Sequence, residues 1–218
     1  MKSITFITDE FKEEKTSAWL IAFIKFGQTV GAFDLLDQVK VKMKKVEYSV
    51  HQKFITLLLS IVIGCSYTKD INDKLVVDTV AANIFNLDRF PDQSQINELI
   101  RRIDTRGIEQ LKNVHDQMFM NNAQCLSTPG FVTVDIDQSG LIANGKTYEV
   151  AQKGYFSKKK DQKGYQLSAA FCGETAETIS LYLDPGNTHC SKRFDDLVDD
   201  TIVKLSDIVK DQRLIIRN

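Results

Sequence analysis

No stretch of this chain stays apolar long enough to cross a bilayer. The longest apolar run, Phe54 to Ile63, is broken by Thr56 and Ser60, and it falls far short of the ~20 residues a membrane helix needs. The N-terminus, Met1 to Phe11, carries acids and no long apolar core, so it does not read as a signal peptide. Cysteine is sparse. Cys65, Cys125, Cys172 and Cys190 stand far apart, with no CxxC pair and no Cys/His cluster. That spacing gives no sign of a zinc module and fits reduced cytoplasmic thiols. There is also no excess of one charge: 28 Lys and Arg face 29 Asp and Glu, for a net charge of −1. A nucleic-acid site would therefore have to be a local patch. The chain shows neither internal repeats nor low-complexity segments. A soluble cytoplasmic protein with no membrane partner is expected.

Its 218 residues suffice for one large domain or two small ones. Up to about Met120 the pattern is helical. Ala18, Leu20, Ile21, Ile24 and Phe26 suggest a first amphipathic helix, with Trp19 in the core and Gly27 and Gly31 as punctuation. Phe33, Leu35, Leu36, Val39 and Val41 begin another, and Lys40, Lys42, Lys44 and Lys45 add a basic tract. Residues 50–63 are apolar nearly all round, as for a buried central helix that Gly64 ends. Residues 68–85 supply further helices. Residues 93–119 continue the apolar period behind Pro91 and Asp92, with Gly107 as a candidate interruption.

The composition changes at Asn121. Asn122, Ser127, Thr128, Pro129 and Gly130 form a loop. Strand signals follow at 131–137, 165–171 and 178–183. A turn at Asp184-Pro185-Gly186-Asn187 comes next. A helical period runs from Phe194 to Val209, and a last strand-like run spans 213–217. The fold class expected is α+β: an N-terminal helical bundle over 1–120, then a mixed α/β region over 130–218.

In Phe131–Gly140, Val132, Val134 and Ile136 alternate on one face with Thr133, Asp135 and Asp137 on the other. Two carboxylates on one strand face are costly to bury. They suit a strand end open to solvent or to a hard divalent ion, which takes carboxylate oxygens from one or two residues and completes its shell with water and phosphate. The plainer reading of each aspartate is a turn or cap residue. Between Ala151 and Tyr165, Lys153, Lys158, Lys159, Lys160 and Lys163 face one acid, with Tyr155, Phe156 and Tyr165 interleaved. Such a run is either a solvated loop or a DNA contact, with lysines on phosphates and aromatics stacking on a splayed base. His189 follows the Pro185-Gly186-Asn187 turn, where a capping or surface role is the ordinary one.

Val134-Asp135-Ile136-Asp137-Gln138-Ser139 resembles the first catalytic strand of the cut-and-paste DDE transposases of bacterial insertion sequences. Three further segments match in order. Gly145–Glu149 with Lys153-Gly154-Tyr155 is similar to the family's glycine- and tyrosine-containing insert. Gly164–Leu167 with Ala169-Ala170-Phe171 is similar to its second strand. Leu183–His189 is similar to the segment after its third strand, where the family often has Arg at the Asp184 position. The N-terminal half also resembles the family's DNA-binding region, with Gly64, Asp70, Asp78 and Pro91-Asp92-Gln93-Ser94 in corresponding places.

The resemblance implies a ribonuclease H-like catalytic domain whose Asp-Asp-Glu triad works on two magnesium or manganese ions. It implies strand cleavage and transfer at transposon ends. Asp137 is the choice for the first aspartate because Ser139 stands two residues on, and Asp135 is the second choice as a metal ligand. Lys153, Tyr155, Lys158, Lys159, Lys160, Lys163 and His189 become candidate DNA contacts. The partner implied is double-stranded DNA, and a homodimer is left open. The second aspartate and the glutamate would lie beyond Asn218, so an N-terminal fragment is expected, inactive by itself. The alternatives are a catalytically dead DNA-binding regulator of transposition and an inert remnant.

Overall fold

The computed structural model describes residues 3–7, 13–44, 47–127, 129–143, 145, 148–154, 156 and 162–217, with side chains described from Thr16 onward. The chain is α+β. It divides into two compact units, Met1–Met118 and Phe119–Asn218, each with its own apolar core.

The first unit opens on a hairpin, not a helix. Strand β1 (Ser3–Ile7) pairs antiparallel with β2 (Glu13–Ser17). The β-branched residues Ile4, Thr5 and Ile7 favour a strand over a helix. On β2, the buried Thr16 donates its hydroxyl to Asp78 at 2.6 Å. Helix α1 (Ala18–Thr29) buries Leu20, Ile24 and Gly27, an i, i+4, i+7 face. Trp19 lies one step off that face and is 53% exposed, and Phe26 is 61% exposed. The expectation of Trp19 in the core therefore fails. Gly27 does not interrupt the helix. A Cβ there would meet the Phe33 ring at 2.6 Å, so this glycine lets α1 approach α2 (Ala32–Leu36). The turn between them is made by Gly31, at φ +69°.

The helix expected to run through Val41 ends at Leu36, and residues 39–44 form no regular element. Helix α3 (Val50–Val62) starts from a capping box, in which Ser49 Oγ accepts from the Gln52 N–H and the Gln52 side chain accepts from the Ser49 N–H. It buries Phe54, Ile55, Leu59 and Lys53, but leaves Ile61 67% exposed. It is thus less enclosed than its sequence suggests. Gly64, at φ +74°, terminates it as expected.

Helices α4 (Asp70–Lys74) and α5 (Thr79–Asn83) are short. Asp78 caps α5 by accepting from the Ala81 N–H. Helix α6 (Gln93–Arg102) starts at Asp92, whose carboxylate accepts from Ser94 and Gln95. The long helix expected over 93–119 is split. Ile103 turns extended (ψ 120°), and Asp104 accepts from the Gly107 N–H to begin α7 (Thr105–Asn122). The break is a capping aspartate, and Gly107 itself stays helical. Among the described residues no helix is long and apolar enough to cross a membrane.

In the second unit, β3 (Val132–Ile142) pairs antiparallel with β5 (Lys163–Cys172), which pairs antiparallel with β6 (Thr178–Pro185). A 3-10 turn (Cys190–Arg193), α8 (Phe194–Lys204) and α9 (Ser206–Lys210) then carry the chain back. Strand β7 (Leu214–Arg217) joins β3 in parallel on its other edge. The sheet order is β6-β5-β3-β7. The two-residue β4 (Gln152–Lys153) pairs with the start of β5, on the same edge as β6 and beyond the stretch that β6 covers. One face packs Val132, Val134, Ile136, Ala170, Cys172 and Ile179 against Leu197, Leu205 and Ile208 of the helices. The expected strands at 131–137, 165–171 and 178–183 all form, each extending beyond the span read from the sequence.

Candidate functional site on the mixed sheet

The alternation expected along β3 is present. Val132, Val134 and Ile136 are buried, Thr133 and Asp135 are half-buried, and Asp137 is exposed. The two aspartates have different surroundings. In the parallel register, Asp135 stands opposite Arg217. The guanidinium closes on it as a fork, with Nε to Oδ1 at 2.6 Å and Nη2 to Oδ2 at 2.8 Å. This pair raises the Arg217 pKa above its ordinary value. Gly173 borders the pair, and a Cβ there would lie 3.0 Å from Asp135 Oδ2.

Asp137 lies past the last described partner on β7. Its Oδ1 accepts from the Gln138 N–H at 2.7 Å, and among the described residues nothing donates to its Oδ2. It sits near the middle of β3, not at the strand's end, because β3 runs on to Ile142. A cavity of about 370 Å3 adjoins it, lined by Asp137, Gln138 and Ser168 from the sheet and by Cys190, Ser191 and Asp195 from the segment opening α8. Gln138 is held there by donating to Ser168 Oγ at 3.2 Å.

Beside β3, Glu174 accepts from the Thr133 N–H with both oxygens, at 3.1 and 3.0 Å. Its hydrogen bonds with Thr133 hold its carboxyl down at about 2. Behind the cavity, β6 and α8 are clamped by charge. The buried Asp184 accepts from Arg193 Nε at 2.7 Å and Nη2 at 2.9 Å. Arg193 also donates to Asp196 at 2.6 Å and lies 4.7 Å from the Tyr182 ring centroid. The hydrogen bonds from Arg193 hold the Asp184 carboxyl below its usual value, and those to Asp184 and Asp196 raise Arg193. An arginine at position 184 would not form this clamp, so Asp184 with Arg193 is a local solution of this chain.

The candidate DNA contacts do not gather at Asp137. Lys153 and Lys163 form a cross-strand pair between β4 and β5. Lys163 precedes Ala169, the partner of Asp137, by six residues, which is roughly 20 Å of strand. His189 caps the 3-10 turn. Its ring nitrogen Nδ1 accepts from the Ser191 N–H at 3.3 Å and lies 2.9 Å from Ser191 Oγ. The next two residues, Cys190 and Ser191, line the cavity. The two regions are joined where Gly154 lies against Gly186, so closely that a Cβ at 154 would sit 1.6 Å from the Gly186 carbonyl oxygen. Tyr155, Lys158, Lys159 and Lys160 lie outside the described residues.

Sequence reasoning missed Arg217, Asp195 and Ser168, because only strand register and the crossover bring them beside β3. Divalent ions suit one part of this arrangement. Asp137 offers an open carboxylate oxygen, whereas both oxygens of Asp135 are taken by the fork. Among the described residues no group of three His, Cys, Asp or Glu is arranged to hold a metal.

No family model matches the chain, and no curated protein sequence matches it. Among solved structures, it has weak similarity to a Mos1 transposase paired-end complex with left transposon end, at 10% identity and a TM-score of 0.23 over 90% of this chain and 66% of that one. A pre-cleavage Mos1 transpososome gives 14% identity and the same TM-score of 0.23, over 82% of this chain and 55% of that one. The chain thus spans less than two thirds of the length of each. A TM-score this low does not establish a shared fold.

Proposed function

We propose that residues 119–218 form a ribonuclease H-like domain of a DDE transposase, with Asp137 as its metal-binding carboxylate, and that residues 1–118 bind transposon-end DNA. The observation that carries this reading is the sheet. Three antiparallel strands in sequence, followed by a helical crossover to a fourth strand parallel to the first, set an open carboxylate on the first strand beside the end of the fourth. Magnesium or manganese bound here would stabilise the developing charge of an in-line attack on a phosphodiester. Asp137 would hold one ion, and Gln138 and Ser168 fix the strand around it. Arg217 keeps Asp135 out of the ligand set and holds β7 in register next to Asp137.

The fork that takes both oxygens of Asp135 favours a second reading, in which this chain binds DNA without cutting it and acts as a regulator of the cutting enzyme. Both readings are tested by incubating the purified protein with a supercoiled plasmid carrying the element's ends, in magnesium or manganese. Retardation of the plasmid without nicking is expected. Absence of binding at low salt by folded protein contradicts both readings. Nicking that survives purification and vanishes in Asp137→Ala contradicts the regulator and shows an enzyme.

A further inference from the structure

Over its described residues 40–44 the basic tract of the first unit is not helical, and Lys45 lies outside the described residues. Along 39–44 the burial alternates at every residue: Val39 is buried, Val41 and Met43 are half-buried, and Lys40, Lys42 and Lys44 are exposed. Val39 is part of the first unit's apolar core, and Val41 and Met43 pack against that core. A period of two is the signature of an extended chain. Its start is tied down, because the Lys40 N–H donates to Gln110 Oε1 of α7 at 2.8 Å. Beside it, Gln38 and Gln117 exchange reciprocal amide hydrogen bonds at 3.0 and 2.9 Å. The core and α7 thus hold the backbone so that three exposed lysines stand in a row on one side of the strip.

We infer that this strip is a nucleic-acid backbone track, gripping one strand's phosphates without reading its bases. The inference rests on the DNA-binding reading above and names the surface that performs it. In an extended chain alternate side chains stand about 6.6 Å apart, which matches one phosphate-to-phosphate step along a DNA strand, a distance well above the ~3.4 Å axial rise because the backbone winds round the axis. A helix would send the same lysines around its circumference. Asp37 accompanies Lys40, with its Oδ2 3.5 Å from the ammonium. Among the described residues no carboxylate lies within ion-pair reach of Lys42 or Lys44, and these two are the main contacts. Lysine on phosphate carries no sequence information, so the strip contributes the same affinity to any duplex.

The test is a salt titration of binding to two duplexes of unrelated sequence and to a single strand, for the wild type and for Lys42→Ala/Lys44→Ala. Both lysines are exposed, and matching thermal unfolding confirms that the variant folds. Each lost phosphate contact makes the slope of log K against log [salt] shallower by about 0.9 on duplex and about 0.7 on single strand. The variant's duplex slope should therefore be shallower by about 1.8, and its affinity near 0.1 M salt roughly 10- to 100-fold weaker on both sequences. Wild-type binding with an unchanged variant slope overturns the strip and leaves DNA binding standing. Loss on one sequence only shows base readout and also overturns it. No wild-type binding to any of the three overturns the strip and the DNA-binding reading together.

Discussion

Arg217 separates two aspartates that alternation alone makes equivalent. Asp135 and Asp137 project from the same face of β3, but the parallel register sets Arg217 opposite Asp135. The fork fills both oxygens of Asp135, and Asp137 keeps one open. The consequences for stability differ in size. Asp135→Asn removes a bidentate ion pair that is still partly in water, since Arg217 is 61% exposed, and should cost about 1 kcal/mol or less. Asp137→Asn removes a charge that no described cation balances and should stay within about 0.5 kcal/mol of wild type. Urea unfolding of both variants checks this. A larger loss for Asp137→Asn than for Asp135→Asn would show that Asp137 is the structural member of the pair.

At the scale of elements, the clamp between β6 and α8 positions one wall of the cavity. Asp184 is buried and its charge is answered by Arg193. Breaking such a pair by removing one partner leaves a charge without compensation. Arg193→Ala should cost about 3 kcal/mol, the low end for buried pairs because Arg193 keeps some access to water. Thermal or urea unfolding measures it, and a cost under about 0.5 kcal/mol would place the pair with ordinary surface bridges. The pH dependence follows from the direction of the shift. The folded-state carboxyl of Asp184 is held below its ordinary 3.8. Its contribution is present above that pH and is lost as pH falls through the lower folded value. The wild type should therefore lose stability more steeply below pH 3.8 than Arg193→Ala does.

Elements are also where sequence and structure can be compared most closely. The period-two face of β3 and the helical period of α8 were readable because burial on one side imposes them, whereas on β6 Leu181 and Leu183 are exposed and the buried side chains are Ile179, Ser180 and Asp184. The glycine end of α3 and the Asp92 entry to α6 were readable because caps have few chemical solutions. The hairpin at β1 and β2 was missed, since five-residue strands of mixed composition carry little periodic signal. The break at Ile103 was missed because Asp104 reads equally well as a helical surface residue. At the candidate site Asp137 could be chosen from the motif. Arg217 could not, because its contact spans 82 positions and depends on strand register alone.

At the scale of the whole molecule, charge is balanced at −1, and function has to come from local arrangement. The described basic features are a lysine strip in the first unit and the Lys153–Lys163 pair at the sheet's β4 edge, while the open carboxylate lies on β3. With 29 acidic side chains in the chain, loose association of a divalent ion anywhere would be unremarkable chemistry, so the location of the ion matters more than its affinity. Paramagnetic broadening by substoichiometric manganese, read across the amide spectrum of the whole chain, gives that location. Selective broadening of Ile136, Gln138 and Ser168 in the wild type, lost in Asp137→Asn and kept in Asp135→Asn, is the result expected. Broadening centred elsewhere, or unchanged by Asp137→Asn, would contradict the assignment of Asp137 as the metal-binding carboxylate.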